Sequence, residues 1–296
     1  MPTTSAADPS LLLWLLGALI ALLGSHVVLG WARQAQFQHG GRRWLGVALA
    51  ALLFSTSFGM VCALGLTSEA LAFPIGFRAA VVLGVWLSAA VSAIPLIAWF
   101  VWRPGLVAAL GAGALLALVM IAIQLGWVMA VGFRPGVRWR YEFVVLGAIV
   151  TGIGFALAIG LAFPRDECHR RPVARRVAAL TLMSLATLAG QALVVAGAGL
   201  QMQVGSIYRH EISGSLLSLI GGALLPMVLA LVALDLSLRR REQRSRRRRA
   251  RSRRYRDAAR LTAPDALGPT PVDTHAANRP AARLPSSGAS APQSPA

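Results

Sequence analysis

Residues Gly105–Gly132 read GLVAALGAGALLALVMIAIQLGWVMAVG, without a single charge. About 20 apolar residues are enough to carry a helix across the hydrocarbon core of a bilayer. A run this long reads as a span that tilts or extends past the lipid. Six more runs of the same kind flank it, over approximately 11–31, 44–66, 79–102, 143–163, 177–200 and 214–236. Hydrocarbon offers the backbone no hydrogen-bond partner but itself, so each run is expected to be a helix. The expected fold is all-α, a seven-transmembrane helix bundle spanning residues 1–238. Composition agrees: 56% of the 296 residues are apolar, against about 45–50% in a soluble domain.

Arg placement orients the bundle. All 29 basic residues are Arg. The first, third and fifth loops carry Arg33, Arg42, Arg43, Arg103, Arg165, Arg170, Arg171, Arg175 and Arg176. The alternate loops carry Arg78, Arg134, Arg138, Arg140 and Arg209. The positive-inside rule places the richer side in the cytoplasm. The N-terminus is then outside and the C-terminus cytoplasmic, in a bacterial inner membrane. The opening MPTTSAADPS has no basic residue ahead of the first run, so Leu11 onward reads as a retained helix rather than a cleaved signal. Trp14, Trp31, Trp44, Trp86, Trp99, Trp102, Trp127 and Trp139 mostly flank helix ends and read as interfacial anchors. Pro95 and Pro226 fall inside helices and predict kinks, with gating hinges as the alternative reading.

Beyond the last run the chain changes character. Residues 239–260 hold thirteen Arg, including Arg239, Arg240, Arg241, Arg246, Arg247, Arg248 and Arg249, against only Glu242 and Asp257. Such a segment binds anionic lipid headgroups and fixes the C-terminus inside. It lacks interleaved aromatics apart from Tyr255, which favours membrane lipid over nucleic acid as its partner. Residues 261–296 are dominated by Pro, Ala, Ser and Thr and read as a disordered tail.

Helices two, four and six begin alike, with R-R-W-L-G-V-A-L-A-A-L, R-P-G-L-V-A-A-L-G-A-G and R-R-V-A-A-L-T-L-M. Each then reaches a patch of unusual residues nearer its outer end. These are Ser57, Gly59, Met60 and Cys62, then Gln124, Gly126, Trp127 and Met129, then Gly190 and Gln191 with Gln201, Met202 and Gln203 beyond. At ~1.5 Å per residue each patch lies roughly 22–32 Å from its Arg, so the three are expected near one level in the outer leaflet.

On these residues the chain resembles the MHYT family of bacterial integral-membrane sensor domains. That family has seven helices and carries a Met-His-Tyr-Thr motif near the outer ends of helices two, four and six. The likeness covers residues 9 to 238 and is strongest in Q-L-G-W-V-M-A-V-G-F-R-P (124–135), followed by Arg138, Tyr141 and Glu142. The first helix, L-G-A-L-I-A-L-L-G-S-H, looks like the family's opening helix. At the motif positions this chain has Met60-Val61-Cys62-Ala63, Gln124-Leu125-Gly126-Trp127 and Gln191-Ala192-Leu193-Val194. Met60 alone survives and every motif His is absent. The resemblance implies a degenerate sensory or signalling module, with copper as the family's cofactor and a protein signalling partner for output.

The residues read by themselves are plainer. Met60 and Cys62 offer soft sulfur ligands suited to Cu(I), with Met129 and Met202 as further thioethers, but Met and buried Cys also fill cores. Gln124 and Gln191 are expected to hydrogen-bond between helices or to line a polar cavity. His26 is an ionisable group within a span, which marks function or a neutral hydrogen bond to a neighbouring helix. Asp235 lies four residues before Arg239, the spacing of an ion pair. Asp166, Glu167, Cys168 and His169 are ligand-type residues, but consecutive positions do not converge on one metal. Cys62 and Cys168 are placed near opposite faces, too far apart for a disulfide. There is no nucleophile–base constellation, phosphate-cradling Gly loop or carboxylate pair, so the protein is expected not to be an enzyme. Acids in the membrane region are confined to the edges, at Glu69, Glu142 and Asp235. Two other readings remain open: a small-molecule transporter or channel subunit with Gln124, Gln191 and His26 on its path, and a structural anchor in a larger complex.

Overall fold

A computed structural model describes residues 9–69, 71, 73–163, 172–200, 203–208 and 211–238. The expectations for Cys168 and its neighbours, Gln201, Met202, Arg209 and everything from Arg239 onward lie outside these residues.

Among the described residues seven helices are long and apolar enough to cross a membrane, and the chain is a multi-pass membrane protein. They are α1 (Pro9–Gln36), α2 (Gly41–Thr67), α3 (Ala79–Trp102), α4 (Leu106–Val131), α5 (Tyr141–Ala162), α6 (Pro172–Ala198) and α7 (Gly214–Leu238). Helix α3 has the expected bounds. The first, second and sixth helices begin earlier than hydropathy suggests, and the first runs on to Gln36, because polar residues at a helix end continue its hydrogen bonding beyond the lipid. Consecutive helices pack together from α1 to α6, and α6 returns to α1. Helix α2 also touches α4, α6 and α7, and 67% of its apolar stretch is buried, against 17% for α7. Thus α2 is the central post and α7 lies on the periphery.

Lipid supplies no hydrophobic drive between helices, so they associate through close packing of small residues. A Cβ at Gly113 would stand 2.5 Å from the backbone of Ala156, bringing α4 onto α5. Gly154 against Ala186 and Gly190 against Thr151 do the same between α5 and α6. Gly24 seats Ser57 between α1 and α2. Phe54, Phe58 and Phe155 fill the centre.

One end of the bundle is closed by its three loops, which pair as short strands. Strand β1 (Gly76–Phe77) pairs with β4 (Ile212–Ser213), and β2 (Phe133–Arg134) with β3 (Gly205–Ser206), both antiparallel. The segment between α6 and α7 therefore stitches together the other two loops. Gln203 clasps the peptide of Gly136, accepting from its N–H at 3.4 Å and donating to its C=O at 3.1 Å. Ser206 Oγ donates to the C=O of Val131 at 2.7 Å, and Glu211 accepts from the N–H of Ala79 at the start of α3. Gly132, at φ 61, ends α4 in the left-handed conformation, where any Cβ would also strike Tyr208.

At the opposite end, arginines close helix termini. Arg43 donates to the C=O of Val101 in the last turn of α3, and Arg175 to that of Leu161 in the last turn of α5. Terminal carbonyls lack intrahelical partners, so the Arg that opens α2 and α6 completes a neighbouring antiparallel helix. The similar starts of α2 and α6 thus have a shared structural cause.

The expected kink in α7 takes the form of a π-helical turn, Ile220–Leu224, in which the N–H of Leu225 donates to the C=O of Ile220. Pro226 lies just beyond it. Pro lacks an N–H and crowds the carbonyl of the preceding turn, and the wider turn relieves that conflict.

Candidate functional site

Helices α2, α4 and α6 run parallel and touch one another, so the residues singled out on them belong to one region beneath the three-loop cap. They do not all converge. Met60 and Cys62 are two residues apart on a helix and face different neighbours. The Met60 sulfur presses on Gly221 in the π-turn of α7, where it occupies the place of a Cβ. Cys62 is fully buried in the main core, with a free thiol. Met129 is 64% exposed on the outer surface of α4. Among the described residues the sulfur atoms are dispersed, and no cluster of three or more His, Cys, Asp or Glu could hold a metal ion.

The amides are the centre of the region. Gln191 is buried and donates from Nε2 to the C=O of Cys62 at 3.5 Å, the expected interhelical bond. Gly65 makes this approach possible, since a Cβ there would lie 2.9 Å from Gln191 Nε2. Gln191 Oε1 has no partner among the described residues. Gln124 departs from expectation: it is 1% exposed, and neither Oε1 nor Nε2 has a partner among the described residues. On α2 the two amides stand at different heights: Gln191 meets Cys62 and Gly65, whereas Trp127, one turn nearer the cap than Gln124, meets Gly59.

Trp127 is not an interfacial anchor. It is 6% exposed, stands against Gly59 and meets Phe77 of the cap edge-on at 5.3 Å between ring centres. Trp86 likewise turns inward and donates its indole N–H to Thr56 Oγ1 at 2.9 Å. Their place near helix ends suggested the interface, but tertiary packing uses both as spacers between helices.

His26 lies on the α1–α6 seam, where its Nε2 accepts from Arg176 Nη2 at 3.0 Å. A guanidinium can only donate, so this contact requires the unprotonated nitrogen. Beside it Ser184 Oγ donates to Leu180 C=O at 2.8 Å and reaches Ser25 Oγ at 3.2 Å. Arg176, Ser184, Thr187 and Gln191 recur at helical spacing along one stripe of α6. Sequence reading did not single out the hydroxyls of this stripe; their three- and four-residue spacing was the available signal.

Comparison with protein-family models, curated proteins and solved structures gives no match for the chain.

Proposed function

We propose that this membrane protein is a non-enzymatic sensory or signalling module of degenerate MHYT type, with its cap facing outside and its C-terminus in the cytoplasm of a bacterial inner membrane. The input site lies under the cap, between α2, α4 and α6. The observation that carries the reading is the Gln124 amide, buried in the span with both atoms unpaired. Leaving a buried polar group unpaired costs about 1–3 kcal/mol, and such a group within a membrane span is a mark of function. Gln124 and Gln191 occupy the places of two of the family's three motifs. Met60, the surviving motif residue, abuts α7, the least buried helix and the one leading to the basic segment. Output then passes through α7 to anionic lipid headgroups or a protein partner. Among the described residues the sulfur atoms do not converge on one site, so the input is assigned to the amides.

Thermal shift of the purified protein against a panel of small solutes, paired with flux measurements in reconstituted vesicles, tests this reading. A sensor is stabilised by a solute without transporting it. Flux that depends on Gln124 and Gln191 would establish the transporter reading in its place, and neither response would leave the structural anchor.

A further inference from the structure

We propose that the α2–α3 flank, at the end of the bundle opposite the cap, is a binding site for an anionic phospholipid. Its head is built on Arg43. The guanidinium donates from Nη2 to the C=O of Val101 at 3.3 Å and lies over the Trp102 ring, 5.5 Å from its centre. Trp44 meets the same Trp102 edge-on, with 4.6 Å between ring centres. Arg43 Nε has no partner among the described residues, so the group is held in place with donor capacity to spare. Arg42 precedes Arg43, Arg103 follows Trp102, and both are exposed. Adjoining positions at the start of α2 and the end of α3 thus carry three guanidiniums beside a pair of indoles. Arg stays charged at every relevant pH, and its fork of donors matches a phosphate.

The apolar surface running from this head makes the ligand a lipid rather than a free phosphate. Trp44, Ala48, Leu52 and Thr56 recur at helical spacing along α2, and the first three are exposed. At one end of this stripe Trp44 meets Trp102, and at the other Thr56 Oγ1 accepts from the Trp86 indole N–H at 2.9 Å. The stripe therefore follows the seam with α3. From Trp44 to Thr56 the helix rises about 18 Å, and half of the hydrocarbon core is about 15 Å deep. An acyl chain laid along the seam reaches from the headgroup level to the midplane. Charge selects the headgroup. Among the described residues Glu69, Glu142 and Glu211 lie at the cap end. Asp235 stands on α7, where the next residue, Leu236, clusters with Val27 of α1. A phosphodiester with an uncharged headgroup brings the counter-charge that the three arginines call for, whereas a zwitterionic lipid carries its own ammonium.

The test is tryptophan fluorescence quenching of the purified full chain in phosphatidylcholine vesicles. The minor lipid is phosphatidylglycerol or phosphatidylcholine, brominated in its acyl chains near the headgroup. Phosphatidylglycerol should quench more strongly, with at least about fivefold preferential association, the worth of one arginine beside an anionic lipid. Trp44→Phe/Trp102→Phe should remove the excess, which places it on this flank. Arg42→Gln/Arg103→Gln should bring the preference close to unity. The same loss of charge in the basic segment, Arg247→Gln/Arg248→Gln, should leave it unchanged, and so should millimolar inorganic phosphate. Melting temperatures close to wild type show that the variants fold. Equal quenching of wild type by the two lipids overturns the proposal by itself. So does an excess that survives Trp44→Phe/Trp102→Phe or Arg42→Gln/Arg103→Gln, one that falls as far in Arg247→Gln/Arg248→Gln, or one that inorganic phosphate displaces. The sensory reading rests on the amides and stands or falls separately.

Discussion

The sulfur of Met60 fills the place that a side chain at Gly221 would take. This contact joins the central helix to the peripheral one at the π-turn of α7. π-Turns frequently mark functional positions, and the rest of α7 packs through Leu229 and Leu236 in a cluster with Ile20, Val61 and Leu64. Gly221→Ala is therefore expected to destabilise the bundle by about 1–3 kcal/mol, the usual cost of overpacking. Met60→Ala in the same chain should return part of that loss. Melting the two single variants and the double variant measures the coupling, and strict additivity would show that the two residues do not meet.

Replacing Gln124 should have the opposite sign. Gln124→Leu removes two unpaired polar atoms from a buried site while keeping most of the volume. A gain of about 1–3 kcal/mol is expected in ligand-free protein, read as a higher melting temperature in detergent. Gln191→Leu should change stability less, because it loses the bond to Cys62 along with the unpaired Oε1. A Gln124→Leu variant less stable than wild type would mean that the amide is satisfied in the folded protein.

Across the α1–α6 seam, His26→Leu deprives Arg176 of an acceptor and should cost about 1–3 kcal/mol. His26→Gln can still offer an oxygen and should cost less. Equal loss in both variants would show that shape, rather than the hydrogen bond, is what the seam requires.

Glu69, in the cap beyond the end of α2, has its carboxyl pushed above the usual range by burial. A raised folded-state value means that the fold favours the protonated form. Its stabilising contribution is present at low pH and lost as pH rises through the folded value. Glu69→Gln, neutral at every pH, should therefore be more stable than wild type near neutrality. The difference should shrink as the pH falls into the usual carboxylate range. Melting curves of both proteins across that interval check the sign, and a difference that grows on acidification would reverse the argument.

The proposed orientation predicts that a reporter fused after Arg240 is active on the cytoplasmic side and one inserted after Pro135 on the outer side. A periplasmic signal at Arg240 would invert the bundle and move the amide site to the inner leaflet.

The number of helices and their approximate ends were legible in the residues themselves. An uncharged run such as Gly105–Gly132 has one stable form in lipid, since no partner but its own backbone can satisfy its amides. Position along a helix does not reveal which way a side chain faces in the assembled bundle. The separation of Met60 from Cys62, the exposure of Met129 and the burial of Trp127 follow from which neighbour each helix face meets. Those neighbours were chosen by Gly and Ala contacts between segments far apart in the chain. The pairing of His26 with Arg176, and the lack of a partner for Gln124 among the described residues, depend on the same choice. Hydrophobicity and helical rise thus determined that seven helices among the described residues are long and apolar enough to cross a membrane. Only close packing among the helices decided which polar groups were satisfied and which amide was left open.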